Sequence, residues 1–416
     1  MKKMLAVQAI RKARLILAFF IFALLSPLYP SDIQCEWTGV QKIVAVGDLH
    51  GDFDSFVDIL KGTKLVDQGL HWTGGKTHLV QIGDVMDRGD DAKKILELLM
   101  SLEREAEQAG GKVHALIGNH EEMNITGIAF ENKDYVSPNQ FISFLPESYI
   151  EREEIKIRED YAKKLSKGRR LELTLEQRIN NYWETEREKA IAKRGDYPAA
   201  KEYINNFREK YGKWLVQHNA VIKINDIIFV HGGISEKFST WKLEEINDRL
   251  RQELNSFISG NPIEDLQVVY QPNGPLWYRD LASFETKEED FKPEVDKILQ
   301  NLGARYMVVA HTPRLITTKA DMTRFEGRIW IIDTGISRVY RPGGRETALI
   351  IEETGNDIKF SVWPFDFNEE STQLIEQTRY HQEGMATKAI QLLKFIACIL
   401  RDTVRIGIFI GGNNEN

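Results

Sequence analysis

The stretch HLVQIGDVMDRG, residues 78–89, decides the fold. It opens as an apolar run, Leu79 to Ile82, and turns at once into glycine, acids and an arginine. A short continuous apolar run that ends in a glycine turn reads as a buried strand. The same pattern recurs on both sides of it. Ile43–Val46 runs into GDLHGD, Val113–Ile117 into GNHEE, Ile227–Val230 into HGG, Tyr306–Ala310 into HTP and Ile329–Ile332 into DTG. Helical patterns lie between these runs. Asp91–Ala109 sets Ile95, Leu98, Leu99 and Leu102 on one face and stops at Gly110-Gly111. Strand, loop and helix in alternation predict an α/β sheet core with its polar residues gathered at strand ends.

Six of those strand-end residues form a set: Asp48, His50, Asp84, Asn119, His231 and His311. All are oxygen or imidazole donors, the ligands that Mn²⁺, Fe²⁺ or Zn²⁺ accept. Two such ions at roughly 3.5–4 Å need a shared carboxylate with separate ligands on either side. Asp84, between the others in sequence, suits the bridge. A single GD or GN turn means little, but six donors in order, each closing an apolar run, point to one metal centre.

GDLHG (47–51), GDVMDRG (83–89), GNHE (118–121), HGG (231–233) and AHT (310–312) together resemble the signature of phosphoprotein phosphatases within the calcineurin-like metallophosphoesterases. The resemblance spans roughly residues 40–365. Met86, HWTGGKTHLVQIGD (71–84), DYVSPNQF (134–141), PLWYR (275–279) and DTGIS (333–337) are similar to the Shewanella-like, bacterial-type branch. The implied fold is a four-layer αββα sandwich with the metals at its strand-end rim. The resemblance implies Asp48 and His50 on a first metal, Asp84 bridging, and Asn119, His231 and His311 on a second, manganese first, with iron or zinc as alternatives. A metal pair lowers the pKa of water so that hydroxide attacks phosphorus in line near neutral pH.

Arg88 and Arg279 would clamp the phosphoryl oxygens, since a guanidinium offers planar paired donors and keeps its charge. His120 would be the general acid, with Asp87 on its other ring nitrogen to orient it. Glu121 would tie the loop together. Trp277 and Tyr278, immediately before Arg279, would wall the substrate site and favour phosphotyrosine over phosphoserine and phosphothreonine. His71, His78, His114 and His218 match no signature position and read as ordinary polar residues. The implied substrate is a phosphoprotein. Hydrolysis of dinucleotide polyphosphates is the neighbouring alternative.

The rest of the chain sets bounds. Its 416 residues allow two or three domains at roughly 150 each. A net charge of −7 is the wrong sign for gripping nucleic-acid backbones. Two cysteines, Cys35 and Cys398, cannot build a disulfide framework, although one bridge between them is conceivable. Residues 1–31 carry five cationic residues, then the apolar run Leu15–Leu25, then Pro27 and Pro30. That order reads as an export signal, or as an uncleaved hydrophobic anchor. Eleven helical residues rise only about 16 Å, short of the ~30 Å hydrocarbon core.

Residues 151–213 differ in kind, with 30 of 63 positions charged. Thr174 and Gln177 predict a capping box, and Pro198 a helix start with Tyr203, Phe207, Tyr211 and Trp214 as its stripe. This reads as a helical insertion, either a solvated elaboration or a docking site for a protein partner. Residues 366–416 form a tail whose Ala389–Leu400 stretch predicts a packing or amphipathic helix.

Overall fold

Each apolar run becomes a strand because both of its faces meet a core. In β2 (Lys42–Val46), Ile43 and Ala45 belong to one apolar cluster, while Val44 and Val46 belong to another. The same alternation holds in β6 (Ile227–Val230), β7 (Tyr306–Val309) and β9 (Ile329–Ile331). The first cluster, with Val80, Phe229, Val308 and Trp330, draws on both sheets and fills the space between them. The second joins the outer strand faces to helices. A strand buried on both faces must be apolar throughout, since successive side chains point opposite ways.

The computed structural model describes residues 33–364 apart from 284, 315, 317, 340–343 and 356. Among these, β3 (His78–Gln81) lies between β2 and β4 (Lys112–Ala115), all parallel. The antiparallel pair β10 (Ala348–Thr354) and β11 (Asp357–Trp363) completes a five-stranded sheet on the other side of β2. The six-stranded sheet runs β1 (Glu36–Trp37), β5 (Val221–Ile224), β6, β7, β9, β8 (Thr323–Arg324). Two packed mixed sheets with helices on their outer faces are the sandwich expected. β4 stops short of the predicted Ile117, because the Ile117 amide turns to the Asn219 carbonyl beside the other sheet, at 3.1 Å.

The helices that matter for the site are α1 (Phe53–Gly62), α2 (Ala92–Gln108), α3 (Asn119–Thr126) and α4 (Pro138–Ser143). The buried face of α2 is Ala92, Ile95, Leu96, Leu99, Leu102 and Ala106, with Leu98 half-buried at its margin.

The charged stretch divides into two parts of different character. α5 (Glu147–Ser166) and α6 (Leu175–Ala192) form a hairpin in which α5 buries only Tyr149 and α6 buries Trp183, Glu186 and Ala190. The Thr174–Gln177 capping box starts α6. By contrast, Ala199, Ala200, Tyr203 and Phe207 of α7 (Pro198–Phe207), with Tyr211 beyond it, are core residues. No described helix is long and apolar enough to cross a membrane. The export or anchor segment 1–31, the tail 366–416 and Cys398 lie outside the described residues. Cys35 is a buried free thiol, pushed up to about 12 chiefly by burial.

Candidate active site

The loops that follow parallel strands β2, β3, β4, β6 and β7 meet at one rim, and bring all six candidate ligands together. Several residues of these loops hold positive φ: His50 at 41°, Asp84 at 56°, Asp87 at 70°, Arg88 at 70° and His311 at 63°. Such backbone costs of order 1–3 kcal/mol per residue, so the surroundings must hold it. Glu121 does much of this. Its two oxygens accept from the backbone amides of Gly118, Asp84, Val85 and Met86 at 2.8–3.1 Å. Gly118 is required by close approach, since a Cβ there would sit 2.4 Å from Asp84 Oδ1.

Ligand atoms of His50, Asp84 and His120 lie within 4.8 Å of one another, as do those of Asp84, His231 and His311. Asp84 is common to both groups. Two imidazoles are fixed by backbone carbonyls: His50 Nδ1 donates to Met86 O and His231 Nδ1 to Ile82 O, each at 3.0 Å. A carbonyl only accepts, so each Nδ1 carries a proton and each Nε2 is left to face the rim. His231 Nε2 then faces Asp84 Oδ1 at 3.2 Å and Asn119 Oδ1 at 3.0 Å. Oxygen and imidazole donors converging at that spacing are what a divalent cation takes as ligands. His311 Nε2 is buried and meets no hydrogen-bond partner among the described residues. Its backbone amide reaches Asp48 Oδ1 at 3.4 Å.

The electrostatics agree with this. Burial, then Asp333 and Asp84, push the Asp48 carboxyl well above its ordinary range. His50 is pushed down to about 3 by burial and then by His120. A neutral His50 imidazole beside crowded carboxylates is a state in which such side chains bind metal. The donor set fits divalent cations.

His120 stands edge-on to His50 at 4.7 Å, and its Nδ1 is 2.6 Å from Asp87 Oδ2. Burial alone would lower its pKa, but Asp84 and Asp87 outweigh that and raise it. Its Nε2 lies 3.9 Å from Asp84 Oδ2. Arg88 lies against the Tyr135 ring, 5.0 Å from its centroid, and Tyr135 also meets His120 edge-on. Arg279 is exposed and donates to His311 O at 2.8 Å and to Thr312 Oγ1 at 3.3 Å.

The two aromatics differ in exposure, although both line the cleft beside the rim. Trp277 stands edge-on to His311 at 5.8 Å, its indole N–H on Glu122. Tyr278 is a core residue. Its ring packs over Gly233 and its hydroxyl points to Glu294 at 3.4 Å, because a buried phenol must find an acceptor. A cleft of about 760 Å³ adjoins this corner, lined by Ile128, Tyr270, Pro272, Trp277, Tyr278 and Arg279 among others.

Sequence reasoning missed Asn124, Gln140 and Tyr203, which surround Asp87, and Glu122 under Trp277. Asn124 follows His120 by four residues, a spacing that places both on one helix face. Tyr203 carries no local signal.

This rim, with paired carboxylate and imidazole groups between two packed sheets, defines a metallophosphoesterase. Residues 41–315 match the family model described as calcineurin-like phosphoesterase, and the chain belongs to that family of enzymes. It is 30% identical over 300 residues to Shewanella-like protein phosphatase 2 of Arabidopsis thaliana, covering 67% of this chain and 68% of that one. To Shewanella-like protein phosphatase 1 of Plasmodium berghei it is 26% identical, covering 75% and 71%. Among solved structures, a cold-active protein-tyrosine phosphatase of a psychrophilic Shewanella species aligns with TM-score 0.53 at 25% identity, over 81% and 82% of the two chains.

Proposed function

We propose that this chain is a metal-dependent phosphoprotein phosphatase that hydrolyses phosphomonoesters and prefers phosphotyrosine. The observation that carries the reading is the His120–Asp87 pair at 2.6 Å, set beside Asp84, whose carboxylate lies within ligand spacing of His50 on one side and of His231 and His311 on the other. Asp48, His50 and Asp84 would hold one divalent cation, and Asp84, Asn119, His231 and His311 another. When bound, such a pair lowers the pKa of water to near neutrality and offsets phosphoryl charge. Arg88 and Arg279 donate to the phosphoryl oxygens and hold phosphorus for in-line attack. As the bond from phosphorus to the leaving oxygen breaks, His120 gives that oxygen a proton and Asp87 stabilises the imidazolium beforehand. Asn119, on the first turn of α3, presents its amide to the same oxygens.

Two observations support phosphotyrosine: the cleft beside Trp277, and the name of the Shewanella structural relative. An aromatic contact there is worth roughly 0.5–1.5 kcal/mol beyond burial, about three- to tenfold in rate if made in the transition state. Phenoxide, with a pKa near 10, also leaves more readily than an alkoxide.

The test is kcat/KM with Mn²⁺ on one peptide carrying phosphotyrosine, phosphothreonine or phosphoserine, with diadenosine tetraphosphate alongside. The expected order puts the phosphotyrosine peptide first by roughly three- to tenfold. A phosphoserine peptide turned over as fast removes the tyrosine preference. Faster dinucleotide turnover overturns the phosphoprotein reading.

A further inference from the structure

We propose that Tyr203, on α7 of the charged stretch, is a positioning residue for the His120–Asp87 pair, so that the root of the insertion belongs to the leaving-group machinery. This rests on the reading of His120 as the acid. Asp87 is fully buried, and its carboxylate is committed on both sides. Oδ2 takes the His120 ring nitrogen at 2.6 Å. Oδ1 takes Gln140 Nε2 at 2.7 Å and Asn124 Nδ2 at 3.0 Å. The Asp87 amide donates to Gln140 Oε1 at 2.8 Å, which fixes which end of Gln140 is the donor.

The Tyr203 hydroxyl sits between those two amides. It accepts from Gln140 Nε2 at 2.9 Å and donates to Asn124 Oδ1 at 2.7 Å. A phenol has a single proton, and here Gln140 is a donor, so the proton goes to Asn124 Oδ1. That bond turns the Asn124 amide so that its N–H faces Asp87. Asn124 Nδ2 also donates to the His120 carbonyl at 2.9 Å; without the Tyr203 bond the amide oxygen loses its donor, and the N–H that faces Asp87 is held by its own two acceptors alone. A buried tyrosine usually needs some partner. In this site both of its partners are the residues that hold Asp87.

The ring itself cannot drift. It is enclosed by Phe130 at 5.2 Å, Phe144 at 5.5 Å, Phe141 at 6.1 Å and Phe207 at 6.4 Å, measured between centroids. These aromatics come from the segment after α3, from α4 and its C-terminal cap, and from α7. The hydroxyl is therefore held by packing from three segments, a rigid support of the kind that fixes a reactive group to within a fraction of an ångström.

The experiment compares phenyl phosphate with p-nitrophenyl phosphate, using the full chain with Mn²⁺. A poor leaving group depends on the acid and a good one much less. Tyr203→Phe is expected to lower kcat on phenyl phosphate roughly tenfold, a part of the 10²–10⁴ that general acid catalysis supplies, with under about twofold change on p-nitrophenyl phosphate and KM held. His120→Asn should show the same selectivity more strongly. Phe207→Leu, which loosens the same packing but keeps the hydroxyl, should lower Tm and leave the ratio of the two substrates unchanged. Asn124→Leu removes one donor to Asp87 and the acceptor of the Tyr203 hydroxyl while keeping the phenol ring, and should reproduce the Tyr203→Phe ratio even if that variant folds poorly. An equal loss on both substrates in Tyr203→Phe and Asn124→Leu, or no loss, overturns the positioning role. If His120→Asn itself shows no leaving-group selectivity, the assignment of the acid fails instead.

Discussion

Glu121 and Glu122 are neighbours, both fully buried, and they do different work. Glu121 accepts from four backbone amides, as its motif implied. Glu122 accepts from the Tyr270 amide at 3.1 Å and from the Trp277 indole, so it holds the segment that presents Arg279. Burial pushes Glu122 up to about 8, against the pull of those two hydrogen bonds. The folded state therefore binds this proton more tightly than the unfolded chain does. Its contribution to stability is full below about pH 4.3 and is lost as pH rises through about 8. Glu122→Gln keeps an acceptor for the indole without the charge. Its Tm relative to wild type should rise steadily from pH 5 to pH 8.5, read by thermal denaturation; a difference independent of pH means the buried charge is not what costs stability. Legibility at this scale follows chain distance. The six donors were readable because each closes an apolar run. Glu122 was not, since its partner Trp277 is 155 residues away, and Tyr203 meets Asn124 across 79.

At the scale of elements, the strands were legible because a strand buried on both faces has no polar positions to blur it. Their ends were less so, as β4 shows: Leu116 and Ile117 are as apolar as the strand, and a single amide turning to Asn219 ends it. The site itself is a meeting of loops from both sheets. His50, Asp84 and Asn119 come from the five-stranded sheet, and His231 and His311 from the six-stranded one. Asp84, at the centre, gathers charge: burial would raise its pKa, but His231 and His120 hold it well below the ordinary range. A cation bound there joins the two sheets at their rim and stabilises the folded state by mass action, ~2.7 kcal/mol at a hundredfold excess over Kd. Adding Mn²⁺ to metal-stripped protein should raise Tm by several degrees. Asp84→Asn should abolish most of that rise and cost p-nitrophenyl phosphate turnover by orders of magnitude. If Asp84→Asn binds two metals by calorimetry and turns over normally, the shared-carboxylate arrangement is wrong.

For the whole molecule, the charged stretch joins two kinds of structure that composition alone could not separate. From Glu151 onward α5 has no buried residue, and Ile155, Leu165 and Leu173 are exposed apolar side chains on the outer hairpin. The hairpin is anchored near its base, where Tyr182 donates to Glu153 and Tyr149 meets Trp183 at 6.2 Å. α7 is different, since its aromatics complete the core around α3 and α4. High charge density masked this, because the charged residues of α7 lie on the face away from Tyr203 and Phe207. Removing residues 151–213 whole takes away Trp183, Tyr203, Phe207 and Tyr211, each fully or nearly fully buried. A large aromatic truncated from a core costs about 3–5 kcal/mol, so losing four, about 12–20 kcal/mol, matches or exceeds the 5–15 kcal/mol that holds a typical protein folded. That deletion should give insoluble or unfolded chain. Replacing only residues 157–178 with a short glycine linker should leave a folded enzyme, with kcat/KM on p-nitrophenyl phosphate within about twofold of wild type, because none of these residues is buried and their hydrogen bonds stay within the hairpin. Circular dichroism and turnover on that substrate, measured on both deletions, decide the matter. Loss of small-substrate turnover in the shorter deletion, with the fold intact, would show that the hairpin itself serves catalysis. Retained turnover together with loss of activity on a phosphoprotein would place partner recognition on the outer part of the hairpin.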